Sequence, residues 1–343
     1  SPHGAFAHRR LVVIDPAGGK QPMVRQFRGR TCVMVYNGEL YNTGEIRNHL
    51  KTLGHVFLSH SDTEVLLAAF MEWGPQCVEQ LNGIFAFGVW DPDKEELFLA
   101  RDHLGVKPLF YRHAGGSFLF ASELKALLAH PEVRPQVDAE GLAELFALGP
   151  ARTPGVGVFK GIEELKPGHT LLLNQHKITV SRYWSLVSRP HEDSLEDTAA
   201  TIRTLFEDAV RRQLVSDVPI STLLSGGLDS SAITAFAAGV YAQTAGQPID
   251  TYSVDYVGNQ RFFRPNSFQP GEDAPWVKKM SDFLGTVHHY VYLETSRLTE
   301  SLEAAVSARD LPGMADIDSS LYLFSREIKK EATVAISGEC ADE

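Results

Sequence analysis

Cysteine is scarce in this chain of 343 residues, and its three copies lie far apart at Cys32, Cys77 and Cys340. An odd number of widely separated cysteines argues against a disulfide framework, and no close pair has the spacing of a metal site. We therefore expect reduced thiols, which are typical of proteins in the cytoplasm.

Long apolar runs and an excess of positive charge are also absent. No run approaches the roughly 18 residues of a membrane span, and the first residues lack the pattern of a secretory signal. The net charge of −11 argues against non-specific binding to nucleic acid. We therefore expect neither a membrane nor a nucleic acid as a partner. The 43% of hydrophobic residues is ordinary for a globular protein, and the length suggests two domains.

In the first half of the chain, several strand-like runs follow one another, then several helical patterns, without strict alternation of the two. Such grouping predicts an α+β domain in which helices pack on antiparallel sheets. The predicted strands cover 7–14, 31–36, 84–90, 97–101, 109–112 and 117–121, and the predicted helices cover 44–53 and 63–73. A short helix at 138–146 and a hairpin of 170–173 with 178–180 follow.

Helices and strands alternate in the second half, after a polar stretch at 185–196. This alternation predicts an α/β doubly wound parallel sheet, with ligands bound at the carboxyl ends of the strands. The predicted strands cover 218–224, 250–255, 287–292 and 332–336. The predicted helices cover 198–215, 232–241, 273–284, 298–308 and 319–330.

A glycine-containing loop, SGGLDSS at 225–231, follows the first of these strands and precedes a predicted helix. At such a junction the backbone N–H groups can bind a phosphate, and glycine permits close approach. Asp229 adds a carboxylate that can hold Mg²⁺ beside a nucleotide. The loop lacks the Gly-Lys-Ser/Thr end of a Walker A loop. A serine-rich turn in an ordinary α/β domain is the simpler alternative.

Four polar features stand out in the first half. Asn37-Gly38-Glu39 follows a predicted strand, Arg10 lies in another, Asp62 begins a predicted helix, and the loop 101–109 joins two strands. Each has an ordinary alternative, since Asn-Gly is typical of a type I′ hairpin turn and aspartate of a helix N-cap. Their chemical alternatives are a carboxylate partner for Arg10 and an ammonium partner for Asp62.

These motifs occur together and in a characteristic order: HRRLVVID, NGELYN, SDTE, LNGIFAFGVWD, RDHLGVKPLFY, SELKAL and, downstream, SGGLDSS. With them the chain resembles the glutamine-hydrolysing asparagine synthetases over nearly its whole length. The resemblance implies an N-terminal-nucleophile glutaminase domain at 1–184, with two antiparallel sheets between helical layers (αββα). It then implies a linker at 185–196 and an ATP-pyrophosphatase synthetase domain at 197–343.

The same resemblance implies the residues of both sites. Asn37 and Gly38 would form an oxyanion hole, Asp229 and Asp342 would hold Mg²⁺, and Glu339 would be an acid of the synthetase site. The implied glutamine-binding residues are Arg10, Leu11, Val12, Val13, Ile14, Asn37, Gly38, Glu39 and Asp62. The implied ATP-binding residues are Leu224, Ser225, Gly226, Gly227, Leu228, Asp229, Ser230, Ser231, Val254, Ser337 and Gly338.

The implied activity is ATP-dependent synthesis of asparagine from aspartate, with glutamine as nitrogen donor and AMP and pyrophosphate as products. The family nucleophile is an N-terminal cysteine, and neither Cys32 nor Cys77 can have a free α-amino group. We therefore expect a fragment that lacks both ends of the natural protein and does not itself hydrolyse glutamine. Cys340 occupies the position at which the family's common pattern has glycine. The resemblance leaves open whether the protein forms a homodimer.

Two other functions remain open on the sequence alone. One is a related enzyme, such as a β-lactam synthetase-like cyclase or another amidotransferase, that activates a different carboxylate. The other is a non-catalytic remnant that binds nucleotide or glutamine. The amino acid that stimulates pyrophosphate release would distinguish the enzymes, and ATP binding without turnover would favour the remnant.

Overall fold

The computed structural model describes residues 4–175, 177–266 and 271–339. The chain divides into two compact units, Ser1–Arg189 and Pro190–Glu343, which are described separately below. In the described ranges, no helix combines the length and the apolar character that crossing a membrane requires.

The first unit contains two antiparallel sheets. A six-stranded sheet has the order β1-β2-β3-β4-β8-β9, and a three-stranded sheet has the order β6-β5-β7. The strands are β1 Met23–Phe27, β2 Arg30–Leu40, β3 Gly83–Asp91, β4 Glu96–Arg101, β5 Phe110–Ala114, β6 Ser117–Ala121, β7 Glu163–Glu164, β8 His169–Leu173 and β9 Ile178–Arg182.

Two hydrophobic cores stabilise this unit, one on each face of the larger sheet. The first lies between that sheet and the helices α1 and α2. Ten of the 12 residues of α2 are buried, so this helix is covered along nearly its whole length. The second core lies between the two sheets and contains Leu99, Tyr111 and Leu171. The helices are α1 Thr43–Thr52, α2 Asp62–Trp73, a 3₁₀ helix Gly74–Gln80, α3 Leu124–Leu128 and α4 Ala139–Ala147.

Most strands and helices predicted for this half are confirmed to within a few residues, but the strand predicted at 7–14 is wrong. That segment is irregular. The unpredicted β1 pairs with β2 instead, from Met23 opposite Met34 to Phe27 opposite Arg30, so the segment 7–14 has no free strand edge there. An alternating sequence forms a strand only where a partner accepts its hydrogen bonds.

The second unit contains a four-stranded parallel sheet in the order β12-β11-β10-β13. Ile220 and Ile336 belong to a core with α5 and α6, whereas Leu223 and Tyr252 belong to a core with α11 on the opposite face. Helices therefore cover both faces of the sheet. The strands are β10 Ile220–Leu223, β11 Asp250–Tyr256, β12 Val287–Leu293 and β13 Val334–Ile336. The helices are α5 Leu195–Gln213, α6 Leu228–Ala245, α7 Asn259–Phe262, α8 Ala274–Leu284, α9 Thr295–Glu300, α10 Leu302–Arg309 and α11 Ala315–Ile328.

The chain order of this sheet reverses at β10. The strands β10, β11 and β12 follow one another to one side, and β13 returns to the other side of β10. In parallel sheets, ligands bind where the order reverses, beside the carboxyl ends of the strands. The helix predicted at 298–308 is two helices, α9 and α10, which meet at the buried Ser301.

Candidate functional site

A cleft of about 1720 Å³ opens in the first unit. It brings together eight of the nine residues predicted to bind glutamine, and Val12 is not among the described residues that line it. The eight are Arg10, Leu11, Val13, Ile14, Asn37, Gly38, Glu39 and Asp62.

Asn37 and Gly38 lie inside a strand and not in a hairpin turn, so the turn alternative is wrong. They continue β2, where Asn37 is opposite Ala86 and Gly38 is opposite Phe85 on β3. A Cβ atom at Gly38 would lie 2.1 Å from the carbonyl oxygen of Ile84. Only glycine therefore fits at this position.

The register directs the Gly38 N–H away from β3. Phe85 exchanges hydrogen bonds with Asp102 on its other side: the Asp102 N–H donates to the Phe85 carbonyl at 2.7 Å, and the Phe85 N–H donates to the Asp102 carboxylate at 3.2 Å. Gly38 and Phe85 are thus a non-hydrogen-bonded pair of the antiparallel ladder. The N–H and C=O of Gly38 point to the opposite edge of β2. A donor in that position can stabilise an oxyanion.

Asp62 is a buried carboxylate beside the same strand edge. It accepts hydrogen bonds from the Tyr36 hydroxyl at 3.0 Å and from the Leu40 N–H at 3.2 Å. The N-cap of α2 is Ser61, whose hydroxyl accepts from the Thr63 N–H, so the N-cap alternative for Asp62 is wrong. Burial raises the pKa of Asp62, and its hydrogen bonds act in the opposite direction. A buried anion of this kind attracts a cation such as an ammonium group.

Arg10 is held by the irregular segment that follows it. Its guanidinium donates to the carbonyl oxygens of Ile14 at 2.5 Å, Asp15 at 2.9 Å and Pro16 at 3.3 Å. These bonds fold the segment back on itself and help to explain why it is not a strand. The guanidinium also lies close enough to lower the pKa of Asp62, against the larger effect of burial.

Glu39 and Lys107 bring opposite charges to the cleft, which both of them line. Burial raises the pKa of Glu39, and the Lys107 ammonium opposes that shift. The buried Asp102 holds the loop that carries Lys107, because its carboxylate accepts from the N–H groups of Val106 and Lys107, both at 2.9 Å. The motif at 101–109 is therefore a loop folded around one carboxylate.

The second unit places the predicted phosphate loop between β10 and α6. Leu224 is buried and donates its N–H to the Tyr252 carbonyl at 2.8 Å. The Ser225 and Ser230 hydroxyls lie 2.9 Å apart, so a hydrogen bond closes the loop. Gly227 is the N-cap of α6, and within the described residues no side chain caps the first N–H groups of the helix. Such an N-terminus favours an anion.

Glycine permits two close approaches around this loop. Gly226 has φ of +83°, and a Cβ there would lie 2.8 Å from the Trp276 Cβ. Gly338 follows β13, and a Cβ there would lie 3.2 Å from the Asp229 Cβ. The loops after β10 and β13 therefore meet at the start of α6, where the strand order reverses.

The structure describes only some of the other residues predicted to form the nucleotide site of this unit. Val254 is 38% exposed on β11, and the Glu339 N–H donates to the Ser337 hydroxyl at 3.1 Å. Asp342 and Cys340 lie outside the described residues. Over 4–175, 177–266 and 271–339, no group of three or more His, Cys, Asp or Glu side chains could hold a metal ion. The predicted Mg²⁺ pair of Asp229 with Asp342 therefore stays a prediction.

Comparison with protein families adds an independent observation. The family model of the glutamine amidotransferase domain matches residues 1–184, and that of asparagine synthase matches residues 201–343. The chain belongs to the glutamine amidotransferase family. The asparagine synthase match downstream confirms the resemblance to glutamine-hydrolysing asparagine synthetase that the motifs indicated.

The curated relatives that this chain resembles are described as glutamine-hydrolysing asparagine synthetases. Asparagine synthetase [glutamine-hydrolyzing] 3 of Bacillus subtilis is 54% identical over 99% of this chain and 56% of its own length. Asparagine synthetase [glutamine-hydrolyzing] 1 of the same organism is 30% identical over 99% of this chain and 51% of its own length. A putative asparagine synthetase 2 of Methanocaldococcus jannaschii is 31% identical over 98% of this chain and 65% of its own length. The chain thus spans about half the length of the two Bacillus relatives.

Sequence reasoning missed two residues that hold the cleft of the first unit together. Tyr36 donates to Asp62, and the Gln21 side chain makes two hydrogen bonds with the Tyr36 backbone. Gln21 lies in a stretch of turn residues before Pro22, and no local pattern marks it. Gln21 lies 15 residues before Tyr36 in the chain. This separation indicates a contact between them only once the register of β1 and β2 is known.

Proposed function

We propose that this chain is part of an ATP-dependent asparagine synthetase that uses glutamine as its nitrogen donor. One observation carries the proposal: a glutamine amidotransferase match and an asparagine synthase match follow each other in one chain, over 1–184 and 201–343. Each match covers a set of residues that could bind the corresponding substrate. The domains proposed are 1–184 and 197–343, with a linker at 185–196.

We infer the finer fold of each domain from the packing within it. The first would be an N-terminal-nucleophile sandwich, because helices cover one face of its larger sheet, a second sheet covers the other, and α3 packs on β5 and β6. The second would be a doubly wound ATP-pyrophosphatase domain, because helices cover both faces of a parallel sheet whose order reverses at β10. The products and substrates are those of a biosynthetic enzyme of the cytoplasm.

In the first domain, the proposed reaction is hydrolysis of the glutamine side-chain amide. Asn37 and the Gly38 N–H stabilise the oxyanion, and Asp62 with Glu39 binds the ammonium group of the ligand. Arg10 to Ile14 complete the binding site. Cys32 and Cys77 do not fit the nucleophile, since both are buried and burial raises the pKa of each thiol, that of Cys32 to about 11. The resemblance assigns this role to an N-terminal cysteine.

In the second domain, the proposed reaction is adenylation of the aspartate β-carboxylate. A carboxylate oxygen attacks the α-phosphorus of ATP, pyrophosphate leaves, and ammonia then displaces AMP from the acyl carbon to give asparagine. The loop 224–231, Val254, Ser337 and Gly338 bind the nucleotide, and Glu339 is an acid of the site. Asp229 and Asp342 would hold Mg²⁺, which would supply positive charge to neutralise the leaving pyrophosphate. The N-terminus of α6 and the glycines that line it fit a phosphate group.

The test measures pyrophosphate release by the protein as its gene encodes it, with ATP, Mg²⁺ and each candidate carboxylic acid in turn. Aspartate should stimulate release, and AMP, pyrophosphate and asparagine should form in equal amounts when glutamine is converted to glutamate. Stimulation by another carboxylic acid and not by aspartate would instead favour a related synthetase. Binding of ATP without any release would favour a non-catalytic protein.

A further inference from the structure

Among the residues that the structure describes, no strand pairs with the edge of β2 that faces the cleft. The ladder with β1 ends at the pair of Met23 and Met34. Continuing the register by two residues sets Gln21 opposite Tyr36. The N–H and C=O of Tyr36 then require another partner, because unpaired backbone groups are costly where water is excluded.

The side-chain amide of Gln21 is that partner. Its Nε2 donates to the Tyr36 carbonyl at 2.9 Å, and its Oε1 accepts from the Tyr36 N–H at 2.6 Å. These are the two bonds that a residue in a hydrogen-bonded pair of an antiparallel ladder would exchange. Gln21 thus replaces one residue of the missing strand, and it also lines the cleft.

Three residues in alternation present their N–H groups to this edge. The Tyr36 N–H binds Gln21, and the Leu40 N–H binds the Asp62 carboxylate at 3.2 Å. Gly38 lies between them, and the alternation of a strand directs its N–H to the same edge. The N–H groups of Tyr36 and Leu40 are bonded to side chains, so within the described part of the chain the Gly38 N–H is the donor at this edge that a ligand can reach.

We propose that Gln21 is a positioning residue of the glutaminase site, which holds Tyr36 so that Asn37 and the Gly38 N–H keep the geometry of an oxyanion hole. The inference rests on the proposed function of the first domain. Gln21 acts through the backbone of β2 and through Tyr36, whose hydroxyl donates to Asp62 at 3.0 Å. The donor geometry of an oxyanion hole is demanding, so a small displacement of the strand reduces the rate of the chemical step.

The test compares Gln21→Met, Gln21→Glu and the matched control Gln26→Met in the full-length protein as its gene encodes it. Gln21→Met keeps the volume and removes both hydrogen bonds. Gln21→Glu keeps the acceptor for the Tyr36 N–H but sets a carboxylate oxygen against the Tyr36 carbonyl. Gln26 is exposed on β1, so its replacement changes composition without touching the cleft.

We expect kcat for glutamine hydrolysis to fall about 10- to 100-fold in both Gln21 variants. KM should change by less than about threefold, because Asp62 and Glu39 still bind the ligand. Synthesis driven by added ammonia should keep the wild-type rate. Amide exchange at Tyr36 should become about tenfold faster or more, and Gln26→Met should match the wild type throughout.

Equal kcat in Gln21→Met, Gln21→Glu and Gln26→Met would overturn the proposal, because it would mean that Gln21 only fills space. A loss of ammonia-driven synthesis together with glutamine hydrolysis would also overturn it, because it would indicate general unfolding. If the wild-type protein hydrolysed no glutamine, the proposed function would fail on its own. Exchange at Tyr36 would still decide the role of Gln21, since an unchanged rate contradicts the hydrogen-bonded clamp.

Discussion

At the scale of single residues, the cleft of the first unit depends on where a side chain is missing as much as on where one is present. Gly38 lies so close to β3 that an added methyl group would overlap the Ile84 carbonyl oxygen. Its N–H is a candidate oxyanion donor only because the strand can pass this near. The same residue therefore controls both packing and chemistry.

We predict that Gly38→Ala destabilises the protein by about 1–3 kcal/mol, because the new Cβ must displace the backbone of β3. The Gly38→Ala variant should also lose glutamine hydrolysis. The measurement is the free energy of unfolding in urea. Gly44→Ala is the matched control: among the described residues, no atom outside the adjoining helix backbone lies within 4 Å of the new Cβ, and a glycine in helix α1 is replaced by a better helix former. This control should be neutral or stabilising by up to about 1 kcal/mol, and equal destabilisation by both changes would contradict the packing argument.

The buried carboxylate of Asp102 should contribute measurably to the stability of the first unit. It accepts from the N–H groups of Phe85, Val106 and Lys107. We predict that Asp102→Ala lowers the free energy of unfolding by about 2–4 kcal/mol, because three N–H donors lose their partner and the hydrogen bond of Phe85 is buried. Urea unfolding measures the effect. Asp93→Ala, at an exposed turn residue, should change stability by less than about 0.5 kcal/mol. A similar loss in both variants would argue against the special role of Asp102.

At the scale of elements, β11 and β12 are joined by a histidine as well as by their backbones. The two ring nitrogens of His288 lie 2.8 Å from the Thr251 hydroxyl and 2.9 Å from the Ser253 hydroxyl. Burial, with a smaller effect of His289, lowers the pKa of His288 from 6.5 to about 4. The folded unit therefore favours the neutral ring, in which one nitrogen donates and the other accepts.

This pKa predicts a loss of stability in weak acid. Between pH 6.5 and about pH 4 the unfolded chain binds a proton at this histidine and the folded chain does not, so the free energy of unfolding falls as the pH falls. Below about pH 4 this contribution no longer changes. The measurement is the unfolding midpoint from pH 7 to pH 4 for the wild type and for His288→Gln. The wild type should lose more stability than the variant, and two parallel curves would refute the assignment.

At the scale of the whole molecule, each compact unit contains one candidate site, and the two sites use different elements. The first lies along the edge of an antiparallel strand, where a backbone N–H and a buried carboxylate face a cleft. The second lies at the start of a helix, between two loops at the carboxyl ends of parallel strands. We therefore expect the two proposed half-reactions to be separable by single substitutions.

We predict that Asp62→Asn reduces glutamine-dependent asparagine synthesis at least 100-fold, since the anion for the ligand ammonium is lost, while ammonia-dependent synthesis continues. Asp229→Ala should reduce both activities, together with aspartate-dependent pyrophosphate release, by at least about 100-fold. The measurement is asparagine formed from either nitrogen source in the protein as its gene encodes it. Asp282→Ala, which removes only an exposed ion pair with Lys278, is the control and should keep both activities. Near wild-type pyrophosphate release in Asp229→Ala would exclude the proposed role of Asp229.

Most elements of both units could be predicted from the sequence, because their signals are local. Apolar residues at helical spacing marked α1 and α2, and the strand-loop-helix order marked the phosphate loop at 225–231. The motif order alone indicated the family that the comparisons confirm. Local patterns failed for β1, which is a strand because it pairs with β2, and for the segment 7–14, which hydrogen bonds of Arg10 fold back on itself.

By itself, the sequence determined the residue types of both sites and their order along the chain. Tertiary structure alone decided that Asn37 and Gly38 continue a strand, that Gln21 completes its edge and that Gly338 packs on Asp229. The physical reason is the range of the interactions. Side-chain periodicity and turn chemistry act over a few residues, whereas strand register and close backbone packing depend on segments that meet only in the folded chain.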